Sequence, residues 1–145
     1  MTKKTVPDFL YLLGQLALYE RLDPPDESAR LRLKEAILHD HPEFEAYLGR
    51  LGDEPVGFVT FCFTYSTFLA RPTLFLEDIF VLGQHRNHGF GTRLFNFCRH
   101  EGRVRGCGRM EWMVLTWNKP SVQFYERIGA ARLGWYTYRL EHGQF

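Results

Sequence analysis

Residues 85–95 read HRNHGFGTRLF, and this stretch decides the fold class. Gly89 and Gly91 stand one residue apart, directly before a helix-spaced run over 91–103 in which Leu94, Phe97 and Cys98 recur on one face. Upstream, residues 73–82 have the Leu, Phe, Ile and Val content of a strand, interrupted by Glu77 and Asp78. Downstream, Gly106-Cys107-Gly108 supplies a helix stop. Strand, glycine loop and helix in that order put unpaired backbone N–H groups and a partial positive charge at the loop, which suits a pyrophosphate. The Gly-Lys-Ser/Thr of a phosphate-binding P-loop is missing, as is the G-x-G-x-x-G spacing of a dinucleotide fold. Alone, the stretch leaves a plain turn and a binding loop both open.

Working outward, Pro7 and Asp8 open a segment with Phe9, Leu12, Leu13, Leu16 and Ala17 at helical spacing, closed by Asp23-Pro24-Pro25. Residues 26–38 read as a second, charged helix with Leu33, Ala36 and Ile37 on one face. Residues 45–51 and 56–65, joined through Gly52-Asp53-Glu54-Pro55, read as a β-hairpin. After the glycine-loop helix come a strand over 111–117, a short helix over 120–128 with proline in its first turn, and a last strand over 135–140. Two helices, three strands, then alternating helix and strand make a mixed α/β domain. With 145 residues, 45% of them hydrophobic and 13 of them phenylalanine, one domain spanning 1–145 with an aromatic-rich core is expected.

Eighteen basic residues against 17 acidic ones give no electrostatic ground for a nucleic acid or a membrane surface as partner. Cys62, Cys98 and Cys107 lack metal-ligand spacing and read as reduced thiols. His39, His41 and His88 have no partners at ligand spacing, so no metal is expected. The start MTKKTVPDFL lacks the pattern of a signal peptide, and no apolar run reaches the ~20 residues of a membrane helix. A cytoplasmic location is the expectation.

A second constellation follows at Trp117-Asn118-Lys119-Pro120-Ser121 and Phe124-Tyr125, closed by Gly129. Arg86-x-x-Gly89-x-Gly91 followed by Asn118 and Phe124-Tyr125-x-x-x-Gly129 resembles the GNAT acetyltransferase superfamily. Leu76-Glu77-Asp78-Ile79-Phe80-Val81 and Trp117-Asn118-Lys119-Pro120-Ser121 are similar to the diamine (spermidine/spermine) acetyltransferase group, over roughly residues 9–140. The resemblance implies a single α/β (α+β) domain. Its mixed, twisted sheet would have splayed central parallel strands flanked by helices, with the first strand short or missing.

The resemblance also implies the site. Acetyl-CoA would lie where the parallel strands splay, with Ile79, Phe80 and Val81 offering backbone groups to the pantetheine. The loop of Arg86, Asn87, His88, Gly89, Phe90, Gly91 and Thr92 would wrap the pyrophosphate. Asn118 would contact the CoA arm, with Lys119, Pro120 and Ser121 at the adjoining helix start. The chemistry is amine attack on a thioester. The amine must first lose a proton, as free ammonium titrates near ~10, and the leaving thiolate must gain one. By motif position Tyr125 is the acid, and Glu77, through a water, is the candidate base. Tyr19, Glu20, Glu77 and Asp78 would meet the substrate. Read without the resemblance, Tyr125 beside Phe124 and Ile128 reads rather as a core residue. Glu77 and Asp78 alternate across a strand, so one of them could simply be solvated.

The chain departs from the group at three places. Only residues 1–6 precede Pro7, where a strand is usual; Asn87 stands where glycine is common, and tolerates a left-handed backbone. Ser66 and Phe68 replace an acidic residue and a tryptophan, which favours short amines over spermine. The expected function is acetyl-CoA-dependent N-acetylation of a small primary amine (a diamine, polyamine or lysine-like amino acid) by direct transfer. A protein N-acetyltransferase and a non-catalytic acyl-CoA-binding module are the alternatives. Relatives of the group pair C-terminal strands, which implies a homodimer through residues 135–140.

Overall fold

In the computed structural model, which describes residues 1–145, the chain forms two units, Met1–Met113 and Val114–Phe145. The first unit carries three helices and the whole sheet. Helix α1 (Val6–Glu20) takes Pro7 in its first turn, where no backbone donor is lost, and buries Val6, Phe9, Leu12, Leu16 and Ala17. No strand precedes it. Helix α2 (Glu27–Leu38) begins at Asp26, whose carboxylate accepts the Ala29 N–H at 2.7 Å. That α2 fully buries only Ile37 fits its charged composition.

Strands β1 (Glu45–Leu51) and β2 (Glu54–Ser66) form the hairpin, with Leu51 opposite Glu54. The turn is therefore Gly52-Asp53 alone, Gly52 having φ 59°, and the ladder starts earlier than residue 56 because the backbone pairs through Pro55. Strand β3 (Arg71–Val81) pairs antiparallel to β2. The sheet is covered on both faces. Phe58 meets Phe9 of α1 edge-on at 5.2 Å, whereas Phe61, on the opposite face, stacks on Tyr47 at 5.7 Å and meets Phe97 at 6.4 Å. Phe97 belongs to helix α3 (Phe90–Val104), which also buries Leu94, Phe95 and Cys98. Full burial of each such ring is worth about 1.5–3 kcal/mol, so the phenylalanine-rich core is where most stabilisation resides.

Glu77 and Asp78 do not interrupt β3. Thr60 stands opposite Asp78 and Phe61 opposite Leu76, leaving Glu77 as the extra residue of a β-bulge. A bulge accommodates a charged residue by swinging it out of the ladder rather than ending the strand. Glu77 is accordingly exposed, and Asp78 turns toward the α1 face beside Thr60.

Strand β4 (Arg109–Trp112) runs parallel to β3 and pairs with it only from Thr73 to Leu76. The sheet is mixed and open, ordered β1-β2-β3-β4. The strand expected over 111–117 is thus shifted and shorter, because β3 leaves it after Leu76. From Glu77 to Val81, β3 continues without a β4 partner. The strand expected over 135–140 does not form. Alternating aromatic residues need a neighbouring strand to complete a ladder, and Trp135, Tyr136 and Tyr138 have none here and remain exposed. The second unit instead carries helix α4 (Lys119–Arg127).

Candidate active site

The glycine loop leaves β3 through a 3₁₀ turn, Gly83–His85, and enters α3. Asn87 has φ 64°, the left-handed backbone it was expected to tolerate, and Gly89 has φ 81°. Gly89 is the N-cap of α3, and no side chain caps the helix. Its first N–H groups therefore point outward from an end that carries partial positive charge. A Cβ built on Gly89 or Gly91 would meet nothing within 4 Å. Both glycines thus border open space, and nothing within the chain crowds the backbone there. An anionic pyrophosphate fits such a cradle.

Arg86 is also held from within the chain. Its Nε donates to the Val81 carbonyl at 2.9 Å, and its guanidinium lies 4.2 Å from the centre of the Tyr19 ring and 5.6 Å from that of Phe80. The arginine ties the loop to the end of β3 and to the end of α1. A guanidinium stacked on two rings and hydrogen-bonded to a carbonyl is well matched to that task. Val81 thus spends its carbonyl on Arg86, while Phe80 is buried against Phe58 at 6.1 Å. Exposed His88 and Thr92 flank the glycines.

Three carboxylates gather at the ends of α1 and β3. Asp78 is half-buried; its Oδ2 accepts the Thr60 hydroxyl at 2.7 Å, and its N–H donates to the Thr60 Oγ1 at 3.1 Å. Burial pushes the Asp78 carboxyl up, the Thr60 hydrogen bond opposes this, and the Glu77 charge adds to it. Glu20 is raised as well, first by burial and then by the Asp78 charge. Tyr19, next to Glu20, packs on Phe80 at 6.4 Å. The four residues expected to meet substrate are therefore brought together. Cys62, half-buried on β2, has its thiol raised by burial and by Glu77. Thr60 escaped the sequence reading, since an interior strand threonine signals nothing until register sets it opposite Asp78.

In the second unit Asn118 is buried and serves as the N-cap of α4, its Oδ1 accepting the Ser121 N–H at 3.4 Å. Lys119 and Pro120 form the first turn. Lys119 also borders a groove of about 340 Å³ lined by Val114, Thr116, Val122, Gln123, Glu126 and Arg132. Tyr125 is half-buried on α4, its ring 5.4 Å from that of Phe124.

One expectation changes here. Ser66 and Phe68 lie at the other end of the β2–β3 ladder from Asp78, roughly 20 Å along the strand at ~3.3 Å per residue. Ser66 Oγ accepts the Leu69 N–H at 3.3 Å in the connecting turn, and Phe68 is fully exposed. Within one chain they do not reach the carboxylates. At the surface, Arg105 pairs with Glu45 and with Glu101. No group of residues in the chain is arranged to hold a metal ion, and no helix is long and apolar enough to cross a membrane.

The mouse (Mus musculus) thialysine N-epsilon-acetyltransferase is 29% identical to this chain over 146 residues, covering 92% of this chain and 85% of that protein. The Arabidopsis thaliana L-ornithine N5-acetyltransferase NATA1 is 39% identical over 93 residues, covering 63% of this chain and 41% of that protein. Among solved structures, a probable acetyltransferase superposes with a TM-score of 0.83 at 20% identity, over 97% of this chain and 94% of that one. AAC(6')-Iy in complex with the bisubstrate analog CoA-S-monomethyl-acetylneamine superposes with a TM-score of 0.76 at 24% identity, over 97% and 95%. These two likenesses carry the fold. The sequence profile of the acetyltransferase (GNAT) family matches residues 12–130, which include the glycine loop, the bulged strand and α4: the chain belongs to that family and is an acetyltransferase.

Proposed function

We propose that the protein acetylates a primary amine of a small cationic molecule, with acetyl-CoA as cosubstrate, by direct transfer without a covalent enzyme intermediate. One observation carries this reading. Glu20 and Asp78, both partly withdrawn from water, and the exposed Glu77 beside them collect negative charge at the ends of α1 and β3. Like charges desolvated together cost free energy unless a cation joins them, so this corner favours an ammonium. The names of the thialysine and ornithine acetyltransferases among its relatives support an amino acid with a side-chain amine, or a small diamine, as ligand.

In this reading the α3 N-terminus, with Gly89 and Gly91, holds the pyrophosphate of acetyl-CoA, which supplies the thioester when bound. The backbone of Ile79, Phe80 and Val81 beyond the last β4 pair aligns the pantetheine, and Asn118, Lys119, Pro120 and Ser121 serve the CoA arm. Asp78, Glu20 and Tyr19 receive the cation. Glu77, exposed at the bulge, accepts the amine proton through a water, and the Tyr125 phenol donates one to the departing sulfur. Residues 1–145 act as one N-acetyltransferase domain in the cytoplasm. They pair as a homodimer through residues 135–140, whose exposed rings offer an apolar surface.

The test is thiol release from acetyl-CoA across an amine panel: lysine-like amino acids, short diamines, spermidine, spermine and a peptide amine. The short amines are expected to give the highest kcat/KM. No turnover above hydrolysis with any amine rejects the function. Spermine best by tenfold or more rejects the substrate class alone.

A further inference from the structure

We propose that Thr60 is a positioning residue for acetyl transfer, fixing which oxygen of Asp78 receives the substrate ammonium; the inference rests on the amine-acetylating function proposed above. Thr60 is 2% exposed and sits opposite Asp78 in the β2–β3 ladder. Its Oγ1 accepts the Asp78 N–H at 3.1 Å, so its single proton is left for the Asp78 Oδ2 at 2.7 Å. One residue thus grips both the backbone and the side chain of Asp78. A β-branched side chain in a strand has few χ1 choices, which makes the grip stiff. With Oδ2 committed to Thr60, Oδ1 is the oxygen left for a ligand.

The bond also favours the ionised carboxylate. The charged groups that act on Asp78 are Glu20 from α1 and Glu77 beside it on β3; Cys62 of β2 lies near Glu77, and Arg86 of the glycine loop sits over the Tyr19 and Phe80 rings. Arg86 is engaged by Val81 and the Tyr19 ring, and none of the chain's ion pairs includes Asp78. Burial and Glu77 push Asp78 toward its neutral form, and the Thr60 hydroxyl is what opposes them. A neutral Asp78 would not hold a cation. Thr60 therefore extends to lower pH the range over which Asp78 can hold the amine.

The experiment is kcat/KM for the best amine against pH in wild type, Thr60→Val and Thr60→Ser. Thr60→Val keeps the shape of the side chain and removes the hydroxyl. Its acid limb is expected to move to higher pH and its amine KM at neutral pH to rise about tenfold, the scale of a lost hydrogen bond to a charged group. The acetyl-CoA KM should stay within twofold, and Thr60→Ser should restore the wild-type limb. In an Asp78→Asn background, Thr60→Val should add nothing to the amine KM. Thr60→Ala reads the same limb if the valine variant does not fold. An unmoved acid limb in folded Thr60→Val or Thr60→Ala overturns the inference, as does an equal loss in the Asp78→Asn background. Wild type without turnover on any amine overturns the underlying function instead, which keeps the two failures apart.

Discussion

Adding a single methyl at Gly91 should separate stability from cosubstrate affinity. Gly91 lies in the first turn of α3 with no left-handed backbone, and a Cβ there would meet nothing within 4 Å. In the free protein, Gly91→Ala therefore introduces no clash and no strain. Alanine exceeds glycine in helix propensity by about 0.5–1 kcal/mol, partly through a less free unfolded chain. For a domain of this size that corresponds to a Tm increase of roughly 1–4 °C. The same methyl stands in open space within the uncapped first turn, where the proposed pyrophosphate would approach the backbone. A pyrophosphate displaced from even one of them loses a hydrogen bond to a charged group, worth about 1.5–3 kcal/mol, so the acetyl-CoA Kd should rise at least ~10-fold. Gly89→Val provides the contrast, since φ 81° is costly for a β-branched residue and both stability and affinity should fall. Calorimetric titration with acetyl-CoA and thermal unfolding of the three proteins measure both effects. Gly91→Ala binding acetyl-CoA within twofold of wild type would refute the argument that the ligand's phosphates approach this backbone closely.

Tyr125→Phe keeps the ring beside Phe124 and removes the proton donor, so kcat should fall ~10²–10⁴-fold with acetyl-CoA affinity little changed; near-normal turnover would make Tyr125 a packing residue. Asp78 and Glu20 both have folded-state carboxyls raised above their ordinary values, so each binds its proton more tightly in the folded chain and erodes stability as pH rises through the acidic range toward neutrality. Asp78→Asn should accordingly raise Tm at pH 7 while lowering amine kcat/KM about tenfold or more, and the Tm gain should vanish at a pH below the ordinary carboxylate range; a destabilised Asp78→Asn at pH 7 contradicts the sign. Light scattering should report a homodimer that Trp135→Ala with Tyr138→Ala converts to monomer, and a wild-type monomer at tens of micromolar excludes pairing through residues 135–140.

Local signals in the sequence were enough for the elements whose cause is itself local. The 3.6-residue spacing of Phe9, Leu12 and Leu16 produced α1, Asp26 capped α2, Gly106 at φ 67° followed α3, and Asn87 and Gly89 took the left-handed backbone that their residue types allow. The glycine loop and the residues around Tyr125 were legible for the same reason, as contiguous motifs. What the sequence could not determine was set by pairing between distant segments. The bulge that exposes Glu77 and turns Asp78 onto Thr60 depends on the β2–β3 register, in which one extra residue changes which face a side chain occupies. Ser66 fell far from the carboxylates because the strands are antiparallel, and Arg86 became a tie to Val81 and Tyr19 because α1 ends over Phe80. The alternation over 135–140 predicted a strand, yet a strand exists only where another supplies its hydrogen bonds, and that partner lies outside the information in six consecutive residues.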